Sequence, residues 1–223
     1  MSTYYKGKRA ATYNRIWKTF SEKTLATTVD YIKVSRLYEA PKAQGKHPRI
    51  LDVACGTGLL LQKLAQLSPQ AELYGIDQSS DMLAQAQKIL ANEPHIHLTQ
   101  GSLKSDKMTA LPYQPASFDL ITCTNAFHYL DNPRAVLQSL ATLLSPHGQL
   151  VLEDYARRPF PFPWKPFEWL IKGVDPQHNK AYTRTEAQQI CEAAGLQILA
   201  ANDFSAGPLW QCWIIRAEVR KSN

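Results

Sequence analysis

Ile50-Leu51-Asp52-Val53-Ala54-Cys55-Gly56-Thr57-Gly58 is the stretch whose reading decides the fold. Three apolar residues, Ile50, Leu51 and Val53, flank one acid, the composition of a strand buried in a parallel sheet. The run ends in small residues that open directly into a helical pattern from Leu59 to Leu67. Gly56 and Gly58 carry no Cβ, so a strand, a tight turn and a helix N-terminus can bring backbone very close to a ligand here.

Upstream, Tyr13, Ile16, Trp17 and Phe20 fall at the i, i+3, i+4, i+7 spacing of an amphipathic helix. Residues from about 10 to 40 therefore predict one or two helices, with Pro41 to Pro48 as a linker into the first strand. Downstream, strand and helix signals alternate. Strands are expected at Ala71 to Asp77, His95 to Ser102, Phe118 to Phe127 and Gly148 to Tyr155. Between them lie a helix at Ser79 to Asn92, capped by Ser79 or Ser80, and one at Asn132 to Leu144 with Pro133 in its first turn. This alternation argues for a parallel, doubly wound sheet with ligands at the C-terminal strand ends.

The rhythm breaks at residues 155–182, where five prolines and seven aromatics fall in 28 positions. Interior prolines exclude a regular helix throughout, and the aromatic content excludes a disordered linker. An ordered insertion above the ligand end of the sheet is expected, with a short helix at Phe167 to Lys172. Phe160, Phe162, Trp164, Phe167 and Trp169 can either wall an apolar pocket or form the insertion's own core. A helix from Thr183 to Ala194 follows, stopped by Gly195. Leu196 to Phe204 and Trp210 to Val219 predict an antiparallel strand pair, because Gly207-Pro208 leaves no room for a crossover helix.

Composition bounds the rest. The 223 residues, 44% hydrophobic, suit one α/β domain with a sizeable core. No apolar run approaches the roughly 18 residues that span a bilayer, and Met1 to Arg15 lack a signal core, so a cytoplasmic protein is expected. Cys55, Cys123, Cys191 and Cys212 are far apart and form no C-x-x-C pair, which predicts reduced, mostly buried thiols and no zinc site. Net charge is +6, yet residues 1–49 hold 11 Lys/Arg against 3 Asp/Glu. Such an arm suits nucleic acid, anionic lipid or an acidic substrate, or is simply a solvated helix face, the reading preferred here.

The second strand ends in Gly75-Ile76-Asp77, where a carboxylate can accept both hydroxyls of a ribose. A nicotinamide or flavin fingerprint requires a third glycine at the place held by Leu61, which argues against a dehydrogenase. The motif around Asp52 instead resembles that of class I S-adenosylmethionine-dependent methyltransferases of the small-molecule, type 11-like kind: an acid, then three small residues at alternate positions. Here these are Asp52, Ala54, Gly56 and Gly58, with Ala54 in the first glycine place. Gln78-Ser79-Ser80-Asp81-Met82-Leu83 resembles the family's stretch beside the adenine. Gly101-Ser102-Leu103 stands where the family commonly has Gly-Asp, so the usual acid for the adenine amino group is missing. Ser102, a backbone group or packing must replace it. Leu111-Pro112-Tyr113, Ser117 to Ile121, Thr124 to Leu130 and Ser145 to Leu150 match later motifs in the family's order.

The resemblance covers roughly residues 48–155 plus the final helix and strands. It implies a Rossmann-like α/β fold: a seven-stranded, mostly parallel sheet with the last strand antiparallel. It implies one domain, with a helical cap at 1–47, a cofactor core at 48–155, an aromatic lid at 156–182, and a terminal helix and strand pair at 183–223. S-adenosylmethionine is the implied cofactor, held by Tyr13, Asp52, Ala54, Gly56, Gly58, Asp77, Gln78, Met82, Gly101, Ser102, Leu103 and Asn125. His128, just past the fourth strand, is the candidate general base, since histidine suits proton removal near neutral pH; His178 and Tyr182 are weaker candidates. Glu153-Asp154 can bind a cation, but two acids make a thin metal site and no metal is expected. The expected acceptor is a small, partly apolar or aromatic molecule at O, N or C. An RNA or protein methyltransferase using the basic arm, and a non-catalytic cofactor-binding regulator, are the alternatives. No nucleic-acid partner or membrane insertion is expected, and the sequence leaves the oligomeric state open.

Overall fold

The computed structural model describes residues 4–43, 46–103, 111–159 and 161–220. Three helices, α1 (Lys8–Ile16), α2 (Lys18–Tyr31) and α3 (Val34–Ala43), lead into β1 (Arg49–Val53). The chain then runs α4 (Leu59–Leu67), β2 (Glu72–Asp77), α5 (Ser80–Ile89), β3 (Ile96–Gln100) and β4 (Phe118–Thr124). A 3-10 turn at Phe127–Tyr129 precedes α6 (Pro133–Leu143) and β5 (Leu144–Tyr155). α7 (Trp164–Val174), α8 (Arg184–Ala193), β6 (Leu196–Ser205) and β7 (Gln211–Val219) complete the fold.

The seven strands form one sheet in the order β3-β2-β1-β4-β5-β7-β6. β1 to β5 are parallel, and β7 runs antiparallel to both β5 and β6. β1 pairs with β2 on one side and β4 on the other, so the crossovers reverse direction there. The loops leaving β1 and β4 therefore diverge and open a crevice at the C-terminal strand ends.

Burial explains the layers. Ile50, Leu51 and Val53 are fully buried, as a strand covered on both faces requires. One face packs Leu25, Leu37, Leu61, Leu64, Leu83 and Ala86 from α2 to α5 into a core. The other packs Val136, Leu137, Leu140, Ala187 and Cys191 from α6 and α8 around Trp213. All four cysteines are buried and free.

Several helix boundaries differ from expectation. The linker from Pro41 is corrected: Pro41 lies inside α3. A helical proline costs on the order of 3 kcal/mol, but it sits in the last turn, and fully buried Leu37 anchors the helix ahead of it. α7 is longer than the expected 167–172, because Pro166 falls in its first turn, where its missing N–H would have had no partner. β5 starts at Leu144, not Gly148: Phe118 pairs with Leu144 before the register shifts to Leu120 opposite Gln149. The caps follow the sequence closely. Ser79 Oγ accepts from Met82 N–H, and Thr183 forms a reciprocal capping box with Glu186.

Candidate active site

A cavity of about 670 Å³ opens where the loops after β1, β2, β3 and β4 meet, a size typical of small-molecule and cofactor sites, which span about 300–1,000 Å³. Its floor is backbone. Ala54 (φ 56°) and Gly56 (φ 55°) both adopt left-handed conformations, which turn the chain sharply past the end of β1. Gly56 N–H donates to Asp77 Oδ2 at 2.9 Å, and Ser79 N–H donates to Asp77 Oδ1 at 2.8 Å. These bonds fix the carboxylate at the cavity wall. Each oxygen keeps a second lone pair, so two vicinal hydroxyls can still be accepted. Burial pushes the Asp77 carboxyl above the usual range, and the backbone amides of Ser79, Gly56 and Gln78 pull it partly back.

Ten of the twelve residues expected to hold a cofactor line this cavity: Tyr13, Ala54, Gly56, Asp77, Gln78, Met82, Gly101, Ser102, Leu103 and Asn125. Asp52 and Gly58 do not. Asp52 is buried in the sheet, where Thr122 Oγ1 donates to its Oδ1 at 2.7 Å. Burial pushes its carboxyl up to about 7. Gly58 caps α4 with φ 80°, and a Cβ there would lie 2.8 Å from Leu90 Cδ1 and 3.1 Å from Ala86 Cβ. Its smallness therefore serves the packing of α4 against α5.

His128 is not among the lining residues. Its ring is buried, with Nδ1 2.8 Å from Asp154 Oδ2, and its backbone N–H donates to the same oxygen at 2.7 Å. The neighbouring Tyr129 ring, 3.9 Å away, does line the cavity. The His128 carbonyl accepts from Asn179 and Lys180 N–H, which ties the 3-10 turn to the loop after α7. His178 is buried too, between Tyr155 OH at 2.7 Å and Glu168 Oε1 at 3.0 Å. Glu153 is fully buried; burial, then neighbouring Asp154, push its carboxyl well above the usual range, and contacts with Cys212 and Asn125 pull it partly back. Among the described residues, no three His, Cys, Asp or Glu side chains cluster to hold a metal.

Of the insertion's aromatics, Phe162, Trp164 and Phe167 pack on one another, and Phe167 reaches Trp210. None of these, nor Trp169, lines the cavity; Phe162, Trp164 and Phe167 form an aromatic cluster that packs on Trp210, and Trp169 is exposed. Phe160 lies outside the described residues. The insertion reaches the cavity instead through Pro176, Gln177 and Asn179.

Sequence reasoning missed the N-terminal strap. Tyr5 lines the cavity, and its hydroxyl meets Tyr129 OH at 2.9 Å and donates to Asp175 Oδ2 at 3.3 Å. Tyr129 OH also donates to Asp175, and Tyr4 OH to the Val174 carbonyl. On the other side, Ser79 Oγ donates to Tyr5 O at 2.7 Å and Gly7 N–H to Asp81 Oδ2 at 2.6 Å. Residues 4–7 thus bridge α5 and the end of α7. The only local signal was the Tyr4-Tyr5 pair within a basic arm. Acids surround the nearby Tyr13 phenol: burial first, then Asp77, Asp175, Glu153 and Asp154, all push its pKa up.

Residues 50–148 match a family model described as a methyltransferase domain. The chain is 31% identical over 123 residues to a malonyl-[acyl-carrier protein] O-methyltransferase of Halalkalibacterium halodurans, covering 55% of this chain and 45% of that protein. It is 32% identical over 173 residues to a ubiquinone biosynthesis O-methyltransferase of Albidiferax ferrireducens, covering 72% and 64%. The chain thus spans between about half and two thirds of these relatives' length. Its fold is similar to that of a Haemonchus contortus phosphoethanolamine N-methyltransferase 2 solved with S-adenosyl-L-methionine. The TM-score is 0.73 at 13% identity, covering 98% of this chain and 58% of that one.

Proposed function

Because the chain belongs to the class I S-adenosylmethionine-dependent methyltransferases, we propose that it transfers a methyl group from S-adenosylmethionine to a small, partly apolar or aromatic acceptor at O, N or C. The observation that carries this reading is Asp77. It stands fixed by two backbone amides at the wall of a 670 Å³ crevice, with lone pairs left for a ribose diol. The names of the two relatives, a malonyl-[acyl-carrier protein] O-methyltransferase and a ubiquinone biosynthesis O-methyltransferase, favour methyl transfer to oxygen.

In this reading, Gly56 lets the cofactor lie against backbone, and Met82, Gly101, Ser102 and Leu103 take the adenine. Tyr13 and Asn125 face the methionine half. When bound, the sulfonium supplies a methyl carbon with a ready-made leaving group, so alignment and partial desolvation deliver most of the rate. Asp77, Asp175 and Asp154, which push up the Tyr13 phenol, give this end of the cavity an acidic surround suited to a cation. Tyr5, Tyr129 and Asn179 wall the end left for the acceptor. His128 lies behind Tyr129, outside the cavity lining; with Asp154 on its Nδ1 it anchors the turn that carries Tyr129 rather than meeting the acceptor. The 1–47 cap and the 156–182 insertion together act as the lid.

Incubation with methyl-labelled cofactor and a panel of small phenols, carboxylic acids and amines tests the reading. Label in a small product is the expected result. Label only in RNA or protein would move the acceptor to a macromolecule.

A further inference from the structure

Helix α7 has one face turned inward and one that nothing covers. Trp164, Phe167, Glu168 and Ile171 recur at helical spacing and are half-buried against the body. The opposite face presents Trp169, 74% exposed, and Leu170, 57%; Val174, 65% exposed, ends the helix. An outward face of a soluble helix is ordinarily polar. Here its charged members are Lys165 and Lys172, both exposed. The helix's one acid, Glu168, and Asp175 just beyond it are turned inward, to His178 and to Tyr129.

Two other large exposed apolar side chains flank the same surface. Ile16, 65% exposed, precedes Trp17, and Leu209, 56% exposed, precedes Trp210. Trp17 and Phe20 pack on Trp210 at 6.0 and 5.4 Å, and Phe167 of α7 packs on it at 5.9 Å. α1, α7 and the β6–β7 turn therefore meet around one aromatic cluster, and their exposed apolar residues border it. Basic residues outnumber acids in these segments: Lys8, Arg9 and Arg15 on α1, Arg158 before α7, and the two lysines on α7, while Lys18 is paired with Glu22 and Arg157 with Glu186.

We propose that this face docks on an anionic lipid bilayer, lying on its surface. Apolar side chains with Trp among them, ringed by lysine and arginine, fit the boundary between acyl chains and negative headgroups. Lys165 and Lys172 can bring their charge to the headgroups while their methylene stems lie along the apolar side chains. α7 has 11 residues, and no described helix is long and apolar enough to cross a membrane. The same helix leads directly into Pro176, Gln177 and Asn179 of the cavity wall, so docking sets the cavity rim beside the bilayer. Docking of this face does not depend on the reaction assigned to the cavity.

Co-sedimentation of the full chain with vesicles decides it, using phosphatidylcholine alone and phosphatidylcholine mixed with phosphatidylglycerol. The expected result is partition onto the mixed vesicles, weakened by salt, with a blue shift in tryptophan emission. Trp169→Ser/Leu170→Ser should cut partition about tenfold or more, and Lys165→Glu/Lys172→Glu should abolish the preference for anionic vesicles. None of the four residues lines the cavity, so unchanged cofactor binding certifies that each variant is folded. No partition of the wild type, equal partition onto neutral vesicles, or partition untouched by both variants overturns the proposal. Loss of a concentration-dependent dimer in the serine variant, without vesicle binding by the wild type, would assign the face to a second copy of the chain.

Discussion

Asp77→Ala separates ribose recognition from simple charge attraction. The carboxylate accepts N–H bonds from Gly56 and Ser79 at 2.9 and 2.8 Å, and its remaining lone pairs face the cavity. Alanine removes the acceptors offered to two ribose hydroxyls, while the two freed amides open to cavity water. Losing one or two such bonds costs about 1–3 kcal/mol of binding, roughly a 5- to 150-fold rise in Kd. The ribose is common to S-adenosylmethionine and S-adenosylhomocysteine, so both should weaken by the same factor. Calorimetric titration of wild type, Asp77→Ala and Asp77→Asn gives the factors directly, and asparagine, which keeps one carbonyl acceptor, should fall between the other two. Unchanged affinity would refute the ribose assignment. So would a loss confined to the sulfonium, because Asp77 would then act only as a negative charge.

Asp52→Asn should reveal the buried carboxyl by its pH dependence. The folded pKa, near 7, lies above the value of about 3.9 for a free aspartate, so the acid's favourable contribution is full below the unfolded value and is lost as pH rises towards 7. The melting temperature of the asparagine variant should therefore gain on wild type from pH 4 to 7 and level off above; a flat difference would contradict the burial argument. Gly58→Ala places a methyl 3.1 Å from Ala86 Cβ in a left-handed conformation, which should cost about 1–3 kcal/mol in denaturant titration, and no loss would mean that the α4–α5 contact is loose. His128→Gln, which loses the contact with Asp154, should lower stability by about 1–3 kcal/mol in denaturant titration; unchanged stability would mean that the 3-10 turn does not depend on this contact.

How much of this was legible in the sequence depends on distance along the chain. The β1–α4 turn, the Ser79 cap and the helix that starts at Thr183 rest on neighbouring residues, so spacing and residue type place them correctly. The antiparallel β7 followed from the short Gly207-Pro208 connection. Helix ends near proline were misjudged: Pro166 sits in a first turn, where its missing N–H needs no partner, and Pro41 sits in a last turn that the helix ahead of it carries. The wall of the cavity around Tyr5, Tyr129 and Asn179 could not be read. It depends on contacts such as Tyr5 with Asp175, 170 positions apart, which no local periodicity encodes. Asp52 and Gly58 were recognised from the motif, yet periodicity gave no sign that one faces Thr122 and the other Leu90. The two alternatives for the insertion's aromatics were equally consistent with composition. Packing against Trp210, in the β6–β7 turn, separates them.

The central claim is that the crevice beside Asp77 takes S-adenosylmethionine. Parallel calorimetric titrations with S-adenosylmethionine, S-adenosylhomocysteine and NADH test it most directly. Binding of the first two with dissociation constants on the order of micromolar, and no heat from NADH, is the predicted result. Binding of NADH, or of none of the three, would contradict the assignment of the crevice.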